Sequence, residues 1–389
     1  MGLAKQLDRL LQAAVDRGDI PGVVAIAMEQ DATMYEGAFG KRVMGQEPPM
    51  TLDTVAWIAS MTKAITGAAA MQLVEQGRLA LDEPASKWAP QLAEAKVLDG
   101  FDESGAPILR PPKREISLRH LLTHTAGFSY DFWSSDIIRC MEAAGTPPII
   151  SCQDAALTTP LRFDPGEDWD YGINIDWVGK LVEAASGKRL GQYMEENLFA
   201  PLGMRDTAFR IRDDMRHRLA KIHQRGEFGA LEPQPDLEIP QDPQFEMGGG
   251  GLYSTAVDYM KFIRMILDEG RGNGNQVLKP ETVAMMSGNQ MGELRVRPLR
   301  TAMPSLSNDA EFFPGMPKTW GLSFMINEEE APTGRPAGSL AWAGLANSYY
   351  WIDPKNGIGG VFITQILPFA DVKALPLYLA FEKAVYDSR

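Results

Sequence analysis

The stretch Ser60-Met61-Thr62-Lys63 is the only place in the 389-residue chain where a lysine follows a serine by three positions. It opens residues 62–76, whose alanine-rich, proline-free composition predicts a helix. Positions i and i+3 share a helix face, so the Ser60 hydroxyl and the Lys63 amine are expected within about one turn of each other. A buried neutral lysine can take the proton of a serine and make it a nucleophile. Unpaired N–H groups at the helix start also favour developing negative charge.

Composition excludes several classes of partner. With 38 basic and 51 acidic residues the net charge is −13 and the pI is about 4.9, which disfavours nucleic acid or an anionic membrane. No stretch approaches 18 uncharged apolar residues, so no membrane span is predicted. Two cysteines, Cys140 and Cys152, allow at most a single bridge and favour reduced thiols in a cytoplasmic protein. A helical N-terminal pattern without a signal peptide agrees with that location. The oligomeric state is left open.

The order of predicted elements indicates a mixed α/β fold. Residues 23–28 and 33–40 are expected to form a hairpin, and residues 320–326, 338–343, 348–352 and 360–366 further short strands. Helices are predicted between these groups and over 371–386, and irregular loops over 101–114 and 226–247. We therefore expect a mixed, mainly antiparallel sheet flanked by helices and built from both chain ends. The predicted domains are 1–80 with 270–389, and a mainly helical insert, 81–269, with the active site in the cleft between them.

Two further places carry side chains suited to chemistry. Tyr171 follows Pro165-Gly166 and precedes a helix that begins near Asn174, so its hydroxyl is free to point into a cleft. Trp342-Ala343-Gly344-Leu345 lies on or just after a predicted strand. The glycine is expected to let a substrate approach the backbone closely, and the N–H of the next residue can bind an oxyanion.

These motifs, in this order, resemble those of the serine β-lactamase and penicillin-binding-protein superfamily. The sequence is most similar to family VIII carboxylesterases, which resemble class C β-lactamases. The resemblance covers nearly the whole chain and includes Leu121 to Gly127, Pro201 to Thr207 and Gly249 to Asp258. It implies that Ser60 is acylated, that Lys63 and Tyr171 are the acid/base pair, and that the N–H groups of Ser60 and Leu345 form the oxyanion hole. Which of Lys63 and Tyr171 holds the proton is left open.

The chain departs from the lactamase pattern at two positions. Trp342 stands where β-lactamases have the lysine that holds the substrate carboxylate, and Ile173 stands where they have an asparagine. Both changes remove polar groups that orient a charged amide substrate. They favour a neutral ester, with β-lactam hydrolysis weak or absent.

The substrate pocket is the least determined part of the sequence. Trp342, Ala343 and Gly344 are predicted to contact substrate; the alternative for Trp342 is a buried sheet position without substrate contact. The aromatic residues Phe128, Tyr130, Phe132 and Trp133 either line the acyl or alcohol pocket or form a lid packed on the core. Loops 128–150, 226–247 and 295–319 are expected to shape the pocket. His124, at a helix end, is interpreted as structural, and residues 248–251 as a tight turn. No metal-ligand spacing is present, and no cofactor is expected.

The sequence therefore predicts a serine hydrolase that cleaves small-molecule carboxylic esters, with short-chain or hydrophobic acyl or alcohol groups, through a Ser60 acyl-enzyme. An acyltransferase that uses the same intermediate is the first alternative. A weak β-lactamase or D-Ala peptidase is the second. A penicillin-recognising regulatory protein without turnover is the non-enzymatic alternative.

Overall fold

The computed structural model describes residues 2–389, and its elements are numbered in chain order. The strands are β1 (Gly22–Glu29), β2 (Ala32–Gly40), β3 (Ala56–Trp57), β4 (Val97–Phe101), β5 (Pro107–Arg110), β6 (Ile222–Arg225), β7 (Leu231–Gln234), β8 (Tyr253–Ser254), β9 (Arg271–Gly272), β10 (Asn275–Gln276), β11 (Lys318–Trp320), β12 (Met325–Asn327), β13 (Leu340–Gly344), β14 (Ser348–Asp353), β15 (Ile358–Ile363) and β16 (Ile366–Leu367). The α-helices are α1 (Leu3–Asp16), α2 (Thr62–Glu75), α3 (Leu118–Leu122), α4 (Ser135–Ala144), α5 (Asn174–Ser186), α6 (Leu190–Met194), α7 (Ala200–Leu202), α8 (Asp213–Arg216), α9 (Ala256–Leu267), α10 (Pro280–Ser287) and α11 (Ala374–Asp387). Short 3₁₀ turns include Ala59–Met61 and Asp131–Trp133.

A seven-stranded sheet in the order β11-β12-β13-β14-β15-β1-β2 forms the centre of the fold. Each neighbouring pair in it is antiparallel. The N-terminal hairpin joins the C-terminal strands through β1 and β15, where Val24 lies opposite Ile363. The predicted mainly antiparallel sheet, built from both chain ends and flanked by helices, is therefore confirmed.

Helices cover both faces of this sheet, which is why its central strands are apolar throughout. A Cβ on Gly359 would contact Ile263 of α9, whereas the ring of Phe362 contacts Phe381 of α11. Side chains three residues apart on a strand point to opposite faces, so α9 and α11 lie on opposite sides of β15. Strand β1 is correspondingly buried along nearly its whole length.

Helix α2 is enclosed by protein on nearly all sides, and its boundaries agree with the prediction to within one residue. Twelve of its fourteen residues are buried, which explains an alanine-rich sequence without a polar face. It packs against α5, and Gly67 lies so close to Ser323 that a Cβ there would be 2.5 Å from the Ser323 hydroxyl. The first turn of α2, which carries Lys63, is thus held within the core.

Three predicted elements need correction. Residues 320–326 form two strands, β11 and β12, because the chain reverses at Gly321 and Ser323, the latter with φ +79°. The predicted loop over 101–114 belongs partly to the hairpin β4–β5, whose turn is closed by hydrogen bonds to the carboxylate of Asp102. The predicted loop over 226–247 contains β7, which pairs with β6.

The division into a sheet domain and an inserted domain at 81–269 stays a prediction. Within residues 2–389, no helix is both long and apolar enough to cross a membrane.

Candidate active site

Ser60 and Lys63 meet as the helical spacing predicts. The 3₁₀ turn Ala59–Met61 leads directly into α2, and Ala59 adopts a left-handed conformation with φ +44°. Such backbone strain in a non-glycine residue is typical of functional sites. At this turn the Lys63 Nζ donates a hydrogen bond to the Ser60 Oγ at 3.0 Å. A hydroxyl and an amine are therefore in direct contact at the start of the buried helix.

The Lys63 amine is buried and fully bonded. Its Nζ also donates to the Gly249 carbonyl at 2.6 Å and to the Tyr130 hydroxyl at 2.9 Å, so all three donors of an ammonium have acceptors. Only 1% of the Lys63 side chain is exposed. Burial lowers the pKa of Lys63 to about 7, against the opposing effect of the negative charge of Asp176. The amine can therefore exchange a proton near neutral pH.

Tyr171 lies beside this pair and is held from behind by Trp342. The indole Nε1 of Trp342 donates to the Tyr171 hydroxyl at 2.6 Å, and the Lys63 Nζ lies 4.6 Å from the centre of the Tyr171 ring. Burial raises the pKa of Tyr171, while the nearby Ser60 hydroxyl and the hydrogen bond from Trp342 act in the opposite direction. The Tyr171 hydroxyl is thus hydrogen-bonded to Trp342, and the Lys63 amine lies over its ring face.

Tyr130, predicted only as a pocket aromatic, supplies the phenol that bonds directly to Lys63. Its hydroxyl accepts from the Lys63 Nζ, and its ring lines the same cavity as Ser60. Burial raises the pKa of Tyr130 well above its ordinary value. The sequence held one signal for this contact. In the run Phe128, Tyr130, Phe132 and Trp133, the tyrosine has a hydroxyl that needs a partner when buried.

The end of β13 passes close to the turn that carries Ser60. A Cβ on Gly344 would lie 2.4 Å from the Ile58 carbonyl oxygen, so the glycine is needed for this crossing of two backbones. The expectation that Gly344 lets a substrate approach is corrected, since the group against it is backbone. The crossing brings Leu345 to the same cavity as Ser60. Neither the Ser60 N–H nor the Leu345 N–H donates to a backbone carbonyl within residues 2–389.

The cavity at Ser60 is small and mostly apolar. Its volume is about 80 Å³. Each of the three predicted loops contributes to its wall, which agrees with the prediction for 128–150, 226–247 and 295–319. Its apolar lining comes from Trp57, Phe132, Pro148, Ile149, Ile150, Leu237, Met247, Leu306, Leu345 and Leu367. Ser60 therefore lines a pocket suited to a neutral group.

Three aromatic residues predicted at the pocket lie elsewhere. Phe128 stacks on Trp177 with ring centres 6.3 Å apart and lines a separate cavity. The Trp133 indole N–H donates to the Ser307 hydroxyl at 3.1 Å, and its ring lines another cavity. Trp342 is 4% exposed and its indole is directed at Tyr171, so it supports the tyrosine and does not line the cavity. Ala343, on the same strand, is also buried outside the cavity lining.

The sequence prediction missed a polar contact between α5 and the glycine turn. The N–H groups of Gly250 and Gly251 both bond to the Met247 carbonyl, so the predicted tight turn is confirmed. Within that turn the Gly249 N–H donates to the Asp176 Oδ1 at 2.8 Å. The predicted turn gave a weak signal, because packing against α5 is what requires glycine at positions 248 and 249.

His124 packs behind Tyr171 and has no contact with Ser60. Its ring is fully buried, lies 4.6 Å from the Tyr171 ring, and contacts the side-chain amide of Asn174 at 3.0 Å. Burial lowers the pKa of His124 well below its ordinary value. Asn174 also donates to the Phe128 carbonyl at 3.2 Å. The side-chain amide of Asn174, three residues after Tyr171, is therefore hydrogen-bonded inside the core.

A mainly antiparallel sheet flanked by helices, with serine and lysine where the central buried helix begins, is the architecture of the serine β-lactamase and penicillin-binding-protein class. The chain belongs to the β-lactamase family, whose sequence profile matches residues 7–383.

Similar proteins within this family are named as esterases and acyltransferases. Lovastatin esterase from Penicillium rubens is 33% identical over 98% of this chain and 98% of that protein. Monacolin J acid methylbutanoyltransferase from Aspergillus terreus is 33% identical over 98% of this chain and 95% of that protein. A mutant of simvastatin synthase (LovD) from Aspergillus terreus superposes with a TM-score of 0.86 at 32% identity, covering 99% of this chain and 97% of that chain.

Proposed function

We propose that this chain is a carboxylesterase of the family VIII type, which forms an acyl-enzyme on Ser60. The contact that carries the proposal is the 3.0 Å hydrogen bond between the Lys63 Nζ and the Ser60 Oγ. It joins a nucleophile to a base beside a mostly apolar cavity, and burial lowers the pKa of that base to about 7. A base that titrates near the working pH is the most effective one for proton transfer.

Acylation begins when the Ser60 Oγ attacks the carbonyl carbon of an ester and the hydroxyl proton passes to the Lys63 Nζ. The resulting oxyanion is bound by the N–H groups of Ser60 and Leu345, each worth a few kcal/mol of barrier in comparable sites. The bond to the alcohol oxygen then breaks, and that oxygen takes a proton from the Tyr171 hydroxyl. The Trp342 N–H stabilises the phenolate that this step leaves, until Lys63 returns the proton.

Deacylation repeats these steps with water as the nucleophile, giving the free acid and restoring Ser60. The cavity of about 80 Å³ is far below the roughly 300–1,000 Å³ of sites for drug-sized ligands, which supports a short acyl chain. Its apolar wall supports a neutral substrate. Trp342, at the position where β-lactamases have a lysine, offers no cation to hold a substrate carboxylate.

The test of the proposal is covalent labelling of Ser60. An alkyl fluorophosphonate is expected to react with the wild-type protein once per chain, with fluoride as the leaving group. The added mass is expected on the peptide that contains Ser60, and Ser60→Ala is expected to take up none. Labelling of a different residue in the wild-type protein, or equal labelling of the variant, would refute the assignment.

Acyl transfer to an alcohol is a second candidate, supported by the names of the relatives. The methylbutanoyltransferase and the lovastatin esterase match this chain equally well, so both outcomes of an acyl-enzyme occur among its relatives. The apolar cavity wall also favours an alcohol over water as the second nucleophile.

The two candidates differ in the fate of the acyl group. With p-nitrophenyl butyrate and added 1-butanol, an esterase is expected to form mainly free butyrate, whatever the alcohol concentration. A transferase is expected to form butyl butyrate at the expense of butyrate as the alcohol concentration rises. Gas chromatography of both products measures the ratio, and Ser60→Ala controls for uncatalysed exchange. A ratio dominated by butyl butyrate would replace the esterase by the acyltransferase.

A further inference from the structure

A buried carboxylate lies behind the Ser60–Lys63 pair, and the reaction described above gives it no role. Asp176 occupies the first turn of α5 and is fully buried. Its Oδ1 accepts the Gly249 N–H at 2.8 Å, while its Oδ2 has no hydrogen-bond partner in the described part of the chain. A buried carboxylate with one oxygen unbonded is costly, so its presence calls for a compensating charge.

Gly249 connects this carboxylate with the amine of Lys63. Its N–H donates to Asp176, and its carbonyl oxygen accepts from the Lys63 Nζ at 2.6 Å. A Cβ at this position would lie 2.5 Å from the Asp176 Oδ2, so the approach requires glycine. Gly249 therefore directs its N–H at the Asp176 carboxylate and its carbonyl oxygen at the Lys63 amine.

The other titratable groups around this pair are neutral. They are Tyr130 and Tyr171, whose pKa values burial raises, Cys152, whose pKa burial raises to about 12, and His124, whose pKa burial lowers. Asp131 lies at the cavity wall and acts on Tyr130. Among the charged groups of residues 2–389, Asp176 is the one whose charge acts on Lys63. Burial raises the pKa of Asp176 to about 6, and the positive charge of Lys63 acts in the opposite direction, toward the carboxylate.

We propose that Asp176 is a positioning residue that fixes the Lys63 amine through Gly249 and supplies the charge that lets this amine hold the proton of Ser60. The inference rests on the proposed function, because it requires Lys63 to take part in acylation. When the proton passes from the Ser60 Oγ to the Lys63 Nζ, a buried ammonium forms. An isolated ammonium is strongly disfavoured in the core, whereas an ammonium compensated by a carboxylate is tolerated.

Asp176→Asn tests the charge and keeps the shape, since an amide oxygen can still accept the Gly249 N–H. We expect kcat for p-nitrophenyl butyrate to fall about 10- to 100-fold with KM nearly unchanged, as for the loss of help to a general base. Removal of the negative charge lowers the pKa of Lys63. The Lys63 limb of the kcat/KM–pH profile is therefore expected to move to lower pH by about one unit. The profile is expected to move to lower pH whether the active enzyme needs the Lys63 amine neutral or protonated.

Two further variants separate charge from packing. Asp258→Asn removes another buried carboxylate, one that accepts the Asp206 N–H at 2.6 Å and pairs with Lys261 outside the cavity. It is expected to lower the unfolding temperature without moving the pH profile. Asp176→Glu keeps the charge, and its profile is expected at the wild-type position with a lower rate. If Asp176→Asn does not fold, Asp176→Glu decides, and a displaced profile in that variant overturns the proposal.

Wild-type kcat and an unchanged profile in folded Asp176→Asn would also overturn it, as would an equal displacement in Asp258→Asn. Fluorophosphonate labelling of the same preparations keeps this result separate from the proposed function. Label on Ser60 of the wild-type protein together with an unaffected Asp176→Asn rejects the role of Asp176 alone. An unlabelled wild-type Ser60 rejects the acyl-enzyme itself.

Discussion

Replacement of Ser60 by alanine is expected to lower kcat for p-nitrophenyl butyrate on the order of 10⁵-fold, as for loss of the nucleophile in other serine hydrolases. The variant keeps the cavity, Lys63 and the two N–H groups, but has no oxygen to form the ester bond to the enzyme. Residual turnover then comes from binding and the oxyanion site alone. Release of p-nitrophenolate measures the rate, and the uncatalysed hydrolysis sets the lower limit.

Ser323→Ala is the matched control for this experiment. Ser323 also packs against α2, through Gly67, but it is 1% exposed, lies outside the Ser60 cavity and has no partner for its hydroxyl. Loss of an unsatisfied hydroxyl is nearly neutral, so this variant is expected to keep wild-type turnover and stability. Retention of more than about one part in a hundred of the activity in Ser60→Ala would contradict a covalent mechanism through this residue.

Local sequence pattern was sufficient for those parts of the fold that local forces determine. Helix α2 was predicted from its alanine content and lack of proline, and its bounds agree because nothing along the helix opposes that preference. The hairpin of β11 and β12 was predicted as one strand. Its reversal depends on Gly321, which lies against the Met286 carbonyl so closely that a Cβ would be 2.1 Å from that oxygen. A contact between residues so distant in sequence leaves no local pattern.

The candidate site likewise has parts that local sequence pattern predicts and parts that depend on contacts between distant residues. The contact of Ser60 with Lys63 follows from helix geometry. Tyr171 and the Leu345 N–H were predicted from their places in the chain, and the resemblance to a known family gave them their catalytic roles. The bond from Lys63 to Tyr130 could not be predicted, since the backbone leading to Tyr130 turns at His124 and Gly127, with φ +60° and +102°. Gly127 adopts this conformation against the Phe163 carbonyl. Likewise, Asp176 and Gly249 are 73 residues apart and meet only because the glycine turn packs against α5.

Replacement of Lys63 by methionine is expected to lower kcat about 10³- to 10⁴-fold, at the upper end of what general-base catalysis contributes. Methionine fills the space of the lysine stem without a charge or a donor, so the helix is expected to remain packed. Ser60 then has no group to accept its proton, and the rate is expected to recover partly as pH rises, because hydroxide can replace the missing base. Steady-state rates between pH 6 and 10 on wild type and variant measure both effects.

Tyr130→Phe is the control that separates the amine from its phenol partner. It removes the 2.9 Å contact on Lys63 but leaves the contacts of the amine with Ser60 and Gly249. Loss of one hydrogen bond of about 1 kcal/mol predicts a rate reduction within about tenfold. If Tyr130→Phe instead loses as much activity as Lys63→Met, the amine cannot act on Ser60 without its phenol partner. The ratio of the two variants therefore measures how far the base depends on Tyr130, because the structure gives Lys63 the direct contact with Ser60 and gives the Tyr130 hydroxyl a contact with Lys63.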